Sequence, residues 1–309
     1  MRLLMIFVLT MCTISLADEP EIRFNQRDGE LGITVGETEI ATYVYRDPKI
    51  SRPYFAPLKT LSGLQVTRNC PPRLGEDPVD HADMHPGLWM SFGDLNGHDF
   101  WRLKAAAQHV TFTEEPTGKP ANGSFSVRNQ YRTTDGSDTV CEETCRYAIR
   151  LVPQGYRIDI QSEFSPVQSS IAFGDQEEMG LGLRVASSLA VDRKLGGRIL
   201  DSKNRRDEAD VWGKTADWCD YSGPLSGKWA GVTVMSGSQN FRPSWSHARD
   251  YGLIVLNPFG RNAFTKAEKS RLEIKRGETL TLRFAVIVHE SESETDYNAA
   301  TAFQDFAAP

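Results

Sequence analysis

Leu280-Thr281-Leu282-Arg283-Phe284-Ala285-Val286-Ile287-Val288 has an apolar side chain at every second position. In an extended chain Leu280, Leu282, Phe284, Val286 and Val288 all project to one side, so the run predicts a strand with that side buried. Leu31, Ile33 and Val35 repeat the pattern, as do Tyr147, Ile149 and Leu151, and then Tyr156, Ile158 and Ile160. Arg157 and Asp159 fall on the opposite face of that last run, as an antiparallel sheet with one wet face requires. Asp28-Gly29, Asp135-Gly136, Gln154-Gly155 and Arg276-Gly277 supply the turns between strands. Helical signals are confined to a short turn at 104–108 and a terminal segment at 296–306. The polar stretch 195–210 reads as a long surface loop. No β-α-β alternation occurs, which excludes a doubly wound parallel sheet. The expected fold is all-β: a large antiparallel two-sheet β-sandwich, with residues 18–309 as a single domain.

The first seventeen residues stand apart. Arg2 is followed by an apolar run to Thr13 and by Ser15-Leu16-Ala17, the small-residue pattern of a signal peptide cleaved after Ala17. Anchoring through a lipidated Cys12 is disfavoured by bulky Met11. The expected location is periplasmic or extracellular, with no membrane insertion after signal removal. Hydrophobic residues are 39% and charged residues 25% of the chain, ordinary for a folded domain, and the net charge of -6 offers no footprint for nucleic acid. Export makes Cys70, Cys141, Cys145 and Cys219 disulfide candidates. Cys141 and Cys145, read as the neck of a turn, are expected to pair, leaving Cys70 with Cys219. A Cys-x-x-x-Cys zinc half-site is the weaker alternative, since no second thiol pair accompanies it.

Two blocks carry the chemistry. Residues 80–101 hold His81, His85, His98, Trp89 and Trp101 among Asp80, Asp83, Asp94, Asn96 and Asp99. Residues 218–257 hold Asp220, Trp245, His247, Arg249, Asp250 and Asn257. Flat aromatic faces for a pyranose ring and carboxylates, amides or guanidiniums for its hydroxyls make a sugar pocket, and both blocks have that inventory. His81, His85, His247 and Glu178 are the candidate catalytic residues. Trp89, Asp94, Asn96, Trp101, Asp220, Trp245, Arg249 and Asn257 are the candidate substrate-binding residues. Glu177 reads as a solvated neighbour, and His109 and His289 as scaffold. Trp89 and Trp101 read equally well as core. Both blocks interrupt the strand pattern with Pro and Gly, which predicts that they are loops lining one cleft.

Arg52-Pro53-Tyr54-Phe55-Ala56-Pro57-Leu58, the 80–101 block, Trp218 to Gly223 and Arg249-Asp250-Tyr251-Gly252 through Asn257-Pro258-Phe259 together resemble the bacterial exported "PmoA family", also labelled methane oxygenase PmoA, which is abundant in polysaccharide degraders. Many members begin the histidine block Asp-His-Pro-His-His. This chain has Asp80-His81-Ala82-Asp83-Met84-His85, one residue longer. The plan is also similar to the galactose-mutarotase-like β-supersandwich, in which a His and a Glu act as general acid and base on a sugar. The resemblance implies an exported carbohydrate-active protein working by His/Glu acid-base chemistry as an epimerase, lyase or hydrolase, on a sugar or oligosaccharide from polysaccharide degradation. The alternatives are a non-catalytic glycan-binding module, or a metal-dependent enzyme with His81, His85 and His247 on a divalent ion. No cofactor is indicated by the sequence.

Overall fold

The computed structural model describes residues 19–307, so the expected signal segment and its expected cleavage point lie outside the described residues. The strands are β1 (Ile22–Arg27), β2 (Glu30–Val35), β3 (Thr38–Val44), β4 (Tyr54–Leu58), β5 (Leu88–Phe92), β6 (Ala107–Lys119), β7 (Asn122–Arg132), β8 (Thr139–Val152), β9 (Gly155–Pro166), β10 (Ile171–Phe173), β11 (Met179–Arg184), β12 (Arg198–Asp201), β13 (Trp218–Leu225), β14 (Lys228–Ser236), β15 (Trp245–Arg249), β16 (Leu253–Asn257), β17 (Leu272–Ile274) and β18 (Leu280–Ser291). Three short helices are α1 (Asp207–Val211), α2 (Arg261–Thr265) and α3 (Ala299–Ala307).

The first large sheet runs β1-β2-β3-β4-β5-β11-β16-β15 and the second β12-β13-β14-β18-β9-β8-β7-β6, with β10 and β17 as a separate pair. All of the strand pairs in both large sheets are antiparallel. The expected all-β, two-sheet sandwich is therefore what forms. Leu280, Leu282, Phe284, Val286 and Val288 of β18 are buried in the core between the sheets, against Phe55, Leu88, Leu183 and Ile254 of the first sheet. Tyr156 reaches across that core and donates its hydroxyl to the Ile40 carbonyl at 3.0 Å.

Three local expectations change. The 195–210 stretch contains β12 and the start of α1. Residues 218–225, 245–249 and 253–257 are strands, so the second chemistry block is sheet rather than loop. The four described cysteines are free thiols, and neither expected disulfide forms. Cys141 and Cys145 lie on the same side of one continuous strand, β8, opposite Pro166 and Ser162 of β9. At about 3.3 Å per residue their Cα atoms stand ~13 Å apart, beyond the reach of a disulfide. Cys219 is buried inside the sandwich core, while Cys70 packs with the small cluster on the outside of the first sheet. Thiol titration of the unfolded, non-reduced protein should accordingly find these four cysteines free. Loss of two thiols to a bridge would contradict the arrangement.

Candidate functional site

The outer face of the first sheet has its own small core. Tyr54, Trp89, Gly182, Val255 and His247 are register partners across β4, β5, β11, β16 and β15, and so form one row. The next row out runs Arg184, Leu253, Arg249. Tyr54, Trp89, Trp101, Leu253 and Val255 cluster there, covered by the segments that precede β4 and β5. Gly182 makes the packing possible: a Cβ at this position would stand 2.6 Å from Trp89 and 3.0 Å from Trp101. Gly182→Val should therefore cost about 1–3 kcal/mol in a denaturant titration and perturb tryptophan fluorescence, because two indoles must move. An unchanged midpoint would show that the pair can slide freely.

Three buried arginines build the loop carrying His81 and His85. Arg52 donates to the carbonyls of Phe100 and Trp101 at 3.1 and 2.9 Å and to that of Met84, and burial pushes its guanidinium down to about 9. Arg68 donates to the carbonyls of Pro78, Asp80, His81 and His85. Arg184 grips Asp80 with two parallel hydrogen bonds, 3.0 and 3.1 Å. Burial alone would raise the Asp80 carboxyl, but the hydrogen bond from His81 and the Arg184 and Arg68 charges hold it at about 2.

His81 sits at the end of this chain of contacts. Its backbone is in the left-handed region, φ 48°, a strained conformation for a non-glycine residue. Its Nδ1 lies 3.0 Å from Asp80 Oδ2 and its side chain is 46% exposed. A carboxylate at Nδ1 fixes the ring and the tautomer, leaving Nε2 as the proton acceptor toward solvent. The His81 ring stacks on His85 at 4.8 Å, and His85 stacks on Trp89 at 5.1 Å. His85 is buried. Burial and then the charges of Arg184, His81, Arg52 and Arg68 push it down to about 2, so its ring is neutral and acts as a stacking layer.

A second cluster centres on Arg249. Its Nη1 donates to Glu208 Oε1 at 2.7 Å, its Nη2 to Glu177 Oε2 at 3.5 Å, and its Nε to His247 Nε2 at 3.1 Å. An arginine only donates, so His247 Nε2 accepts, and its proton sits on Nδ1, facing the Glu177 carbonyl at 3.3 Å. Burial and the neighbouring Arg249 push His247 down to about 4. Both ring nitrogens are engaged, which makes His247 a positioning residue for Arg249. Glu177 and Glu208 are each about a third exposed. Burial raises the Glu208 carboxyl, but the Asp250 amide and Arg249 outweigh it and lower it overall.

The two clusters meet at Arg184. Besides holding Asp80, its guanidinium lies 4.5 Å from the centroid of the Tyr251 ring, in the turn joining the Arg249 strand to β16. Both blocks were expected as loops lining one cleft; instead His81, His85, Trp89, Trp101, His247 and Arg249 lie on the outer face of the first sheet, with His247 and Arg249 on β15, three strands from Trp89. Trp89 and Trp101 are there as buried packing, 2% and 1% exposed, rather than as an open aromatic platform.

Of the other predicted residues, Trp245 and Asn257 form the next row of the same face beyond His247, and the rest lie apart from it. Asp220 lies on the second sheet, buried, bonded to His289 Nε2 at 2.9 Å and Thr233 at 2.8 Å. Glu178 pairs with Arg102 at 2.8 Å instead of facing an imidazole. Asp94 accepts the Gly97 amide in a turn, and Asn96 is the left-handed residue of that turn. Asn257 is fully buried, its amide donating to the Gln176 and Glu177 carbonyls and its oxygen accepting from Phe259 and Gly260. Trp245 packs near Arg242 and Phe264. His247 is three strand spacings from Trp89, ~14 Å at ~4.8 Å each, so the three histidines do not surround one ion. Among the described residues no three His, Cys, Asp or Glu side chains converge as metal ligands. No helix among them is long and apolar enough to cross a membrane.

Sequence reading missed Glu177, Glu208, Arg184, Arg68 and Tyr251. One signal was present: Arg184 ends the otherwise uncharged run Met179-Gly180-Leu181-Gly182-Leu183, where a charge needs a partner.

Solved structures similar to this chain include the Slr1438 protein of Synechocystis sp. PCC 6803, at 14% identity over 90% of this chain and 99% of that one, TM-score 0.35. A galactose mutarotase-like protein of Clostridium acetobutylicum aligns at 9% identity over 89% and 99%, TM-score 0.41. Another from Lactobacillus casei aligns at 10% over 87% and 100%, TM-score 0.37. No curated protein matches the sequence. Residues 30–304 match the model described as "Family of unknown function (DUF6807)". That match spans nearly all of the described fold, and the chain belongs to the DUF6807 family.

Proposed function

We propose that the chain acts on a sugar or oligosaccharide at the outer face of the first sheet, with His81 as the proton-transfer group and the Arg249 cluster as the holder of hydroxyls. The observation that carries this reading is the Arg184 bridge. One guanidinium joins the Asp80–His81 pair to Tyr251 and so to the strand of Arg249. In one neighbourhood the face offers an exposed imidazole with a carboxylate behind it, a phenol ring, a guanidinium and two partly exposed carboxylates. A polyhydroxylated ring needs that mixture of donors, acceptors and one flat apolar wall. His81 replaces Glu178 and His247 as the leading acid-base candidate, and Glu177 replaces Glu178 as the carboxylate.

The test is a panel of reducing monosaccharides and oligosaccharides, followed by polarimetry for anomer exchange and by reducing-end and elimination assays. His81→Asn is the informative variant, because asparagine tolerates the left-handed backbone while removing the imidazole. Turnover should fall about 10²–10⁴-fold with folding retained, the usual weight of a general acid-base group. Turnover unaffected by both His81→Asn and Glu177→Gln would remove the site from the reaction. Sugar binding with no turnover in any variant would select the glycan-binding module instead. Export belongs to the same proposal: secreted material should begin at Asp18, and a start elsewhere or a lipid on Cys12 would refute it.

A further inference from the structure

On the far side of the molecule, the outer face of the second sheet carries a polar groove. Small side chains make its floor. Ala285, Asp159 and Ala148 are register partners across β18, β9 and β8, so two alanines flank one aspartate. On one side the row Arg283, Gln161, Arg146 forms a wall, and on the other Arg157 and Arg150 stand beside α3. The groove is open to solvent and has a volume of about 380 Å³, with Asp305 and Phe306 of α3 along its edge. That is within the size range of small-molecule pockets.

The charge is unbalanced. Four arginines line the groove against two aspartates, Asp159 and Asp305. Asp159 is already held by Arg150 at 3.1 Å and Arg157 at 2.7 Å. Arg146 has only a loose contact with Glu114 at 3.6 Å, and Arg283 only a neutral one, to Gln239 at 3.3 Å. Both guanidiniums keep donors open toward the groove. Arg157, 8% exposed beneath Phe306, spends its Nε on Asp159 Oδ1. A fork of open guanidiniums recognises a carboxylate. The side-chain oxygen of Gln161, whose NH2 donates to Glu163, suits a hydroxyl beside it.

We infer that this groove is a second binding site, distinct from the first-sheet face, for a sugar-sized carboxylate such as a hexuronate. It does not depend on the function proposed for the first sheet. Calorimetric titration of the full chain with galacturonate, glucose, acetate and sulfate tests it. Galacturonate should bind, with affinity falling as salt rises, and both acetate and glucose should bind at least 10-fold more weakly. The double variant Arg146→Gln, Arg283→Gln, changing two exposed side chains, should weaken galacturonate at least 10-fold while His81→Asn leaves it unchanged. Absent galacturonate binding overturns the assignment. So does binding that survives the double variant, binding lost in His81→Asn, or acetate and sulfate binding as tightly as galacturonate.

Discussion

Replacing Asp80 with alanine is expected to destabilise the protein by about 2–4 kcal/mol, one of the largest single-residue effects in the chain. Arg184 and Arg68 are each 1% exposed at their side chains, and Asp80 is the carboxylate that meets both, at 3.0 and 3.6 Å. Without it, two guanidiniums stay buried with no anion. Breaking a buried ion pair costs about 3–5 kcal/mol, and the figure is reduced here because Asp80 itself is 39% exposed and water can reach the gap. Asp80→Asn keeps an acceptor for one arginine donor and should lose about half as much. Chemical denaturation of the three proteins provides the comparison. A midpoint for the alanine variant indistinguishable from the parent would mean that the 78–85 loop is held by its carbonyl contacts to Arg68 alone.

Mild acid should weaken the fold before the depressed carboxylates are protonated. His247 and His85 are buried and neutral, with folded-state values pushed down to about 4 and about 2. Unfolded, each takes up a proton near pH 6.5. Between those limits the unfolded chain binds more protons than the folded one, so stability rises with pH. It is fully present above about 6.5 and is lost as pH falls. His247 alone contributes about 3 kcal/mol of that loss on reaching pH 4. Depressed carboxylates such as Asp80 add their loss only below about 4, where unfolded aspartates protonate. Urea titrations at pH 7.5, 5.5 and 4.5 should show this slope, and His247→Gln should flatten it. Parallel pH profiles for the two proteins would contradict a neutral, buried His247.

The fold was legible where one strand face meets the core and the other meets water. β18 alternates because Leu282, Phe284 and Val286 pack between the sheets while Arg283 faces out. β11 does not alternate, since all six residues of Met179–Arg184 are buried: Met179, Leu181 and Leu183 in the sandwich core, Gly182 under Trp89 and Trp101, and Arg184 against Asp80 and Tyr251. Cys141 and Cys145 looked like a turn neck because a five-residue window cannot distinguish a turn from a long continuous strand. The first histidine block was legible because its residues are close in sequence. Glu177, Glu208 and Arg184 were not, since only the sheet order brings them beside Arg249, Asp80 and Tyr251. Asp220 has the composition of a site residue, yet β13 belongs to the second sheet, and strand assignment is a long-range property.

Backbone-amide shift mapping with the oligosaccharide that binds best in the panel tests the sugar site most directly. Perturbations should concentrate at His81, Tyr251 and Arg249, on the outer face of the first sheet, and should be lost in His81→Asn. Perturbations confined to the second sheet, or a bound sugar that leaves those three residues unmoved, would contradict it.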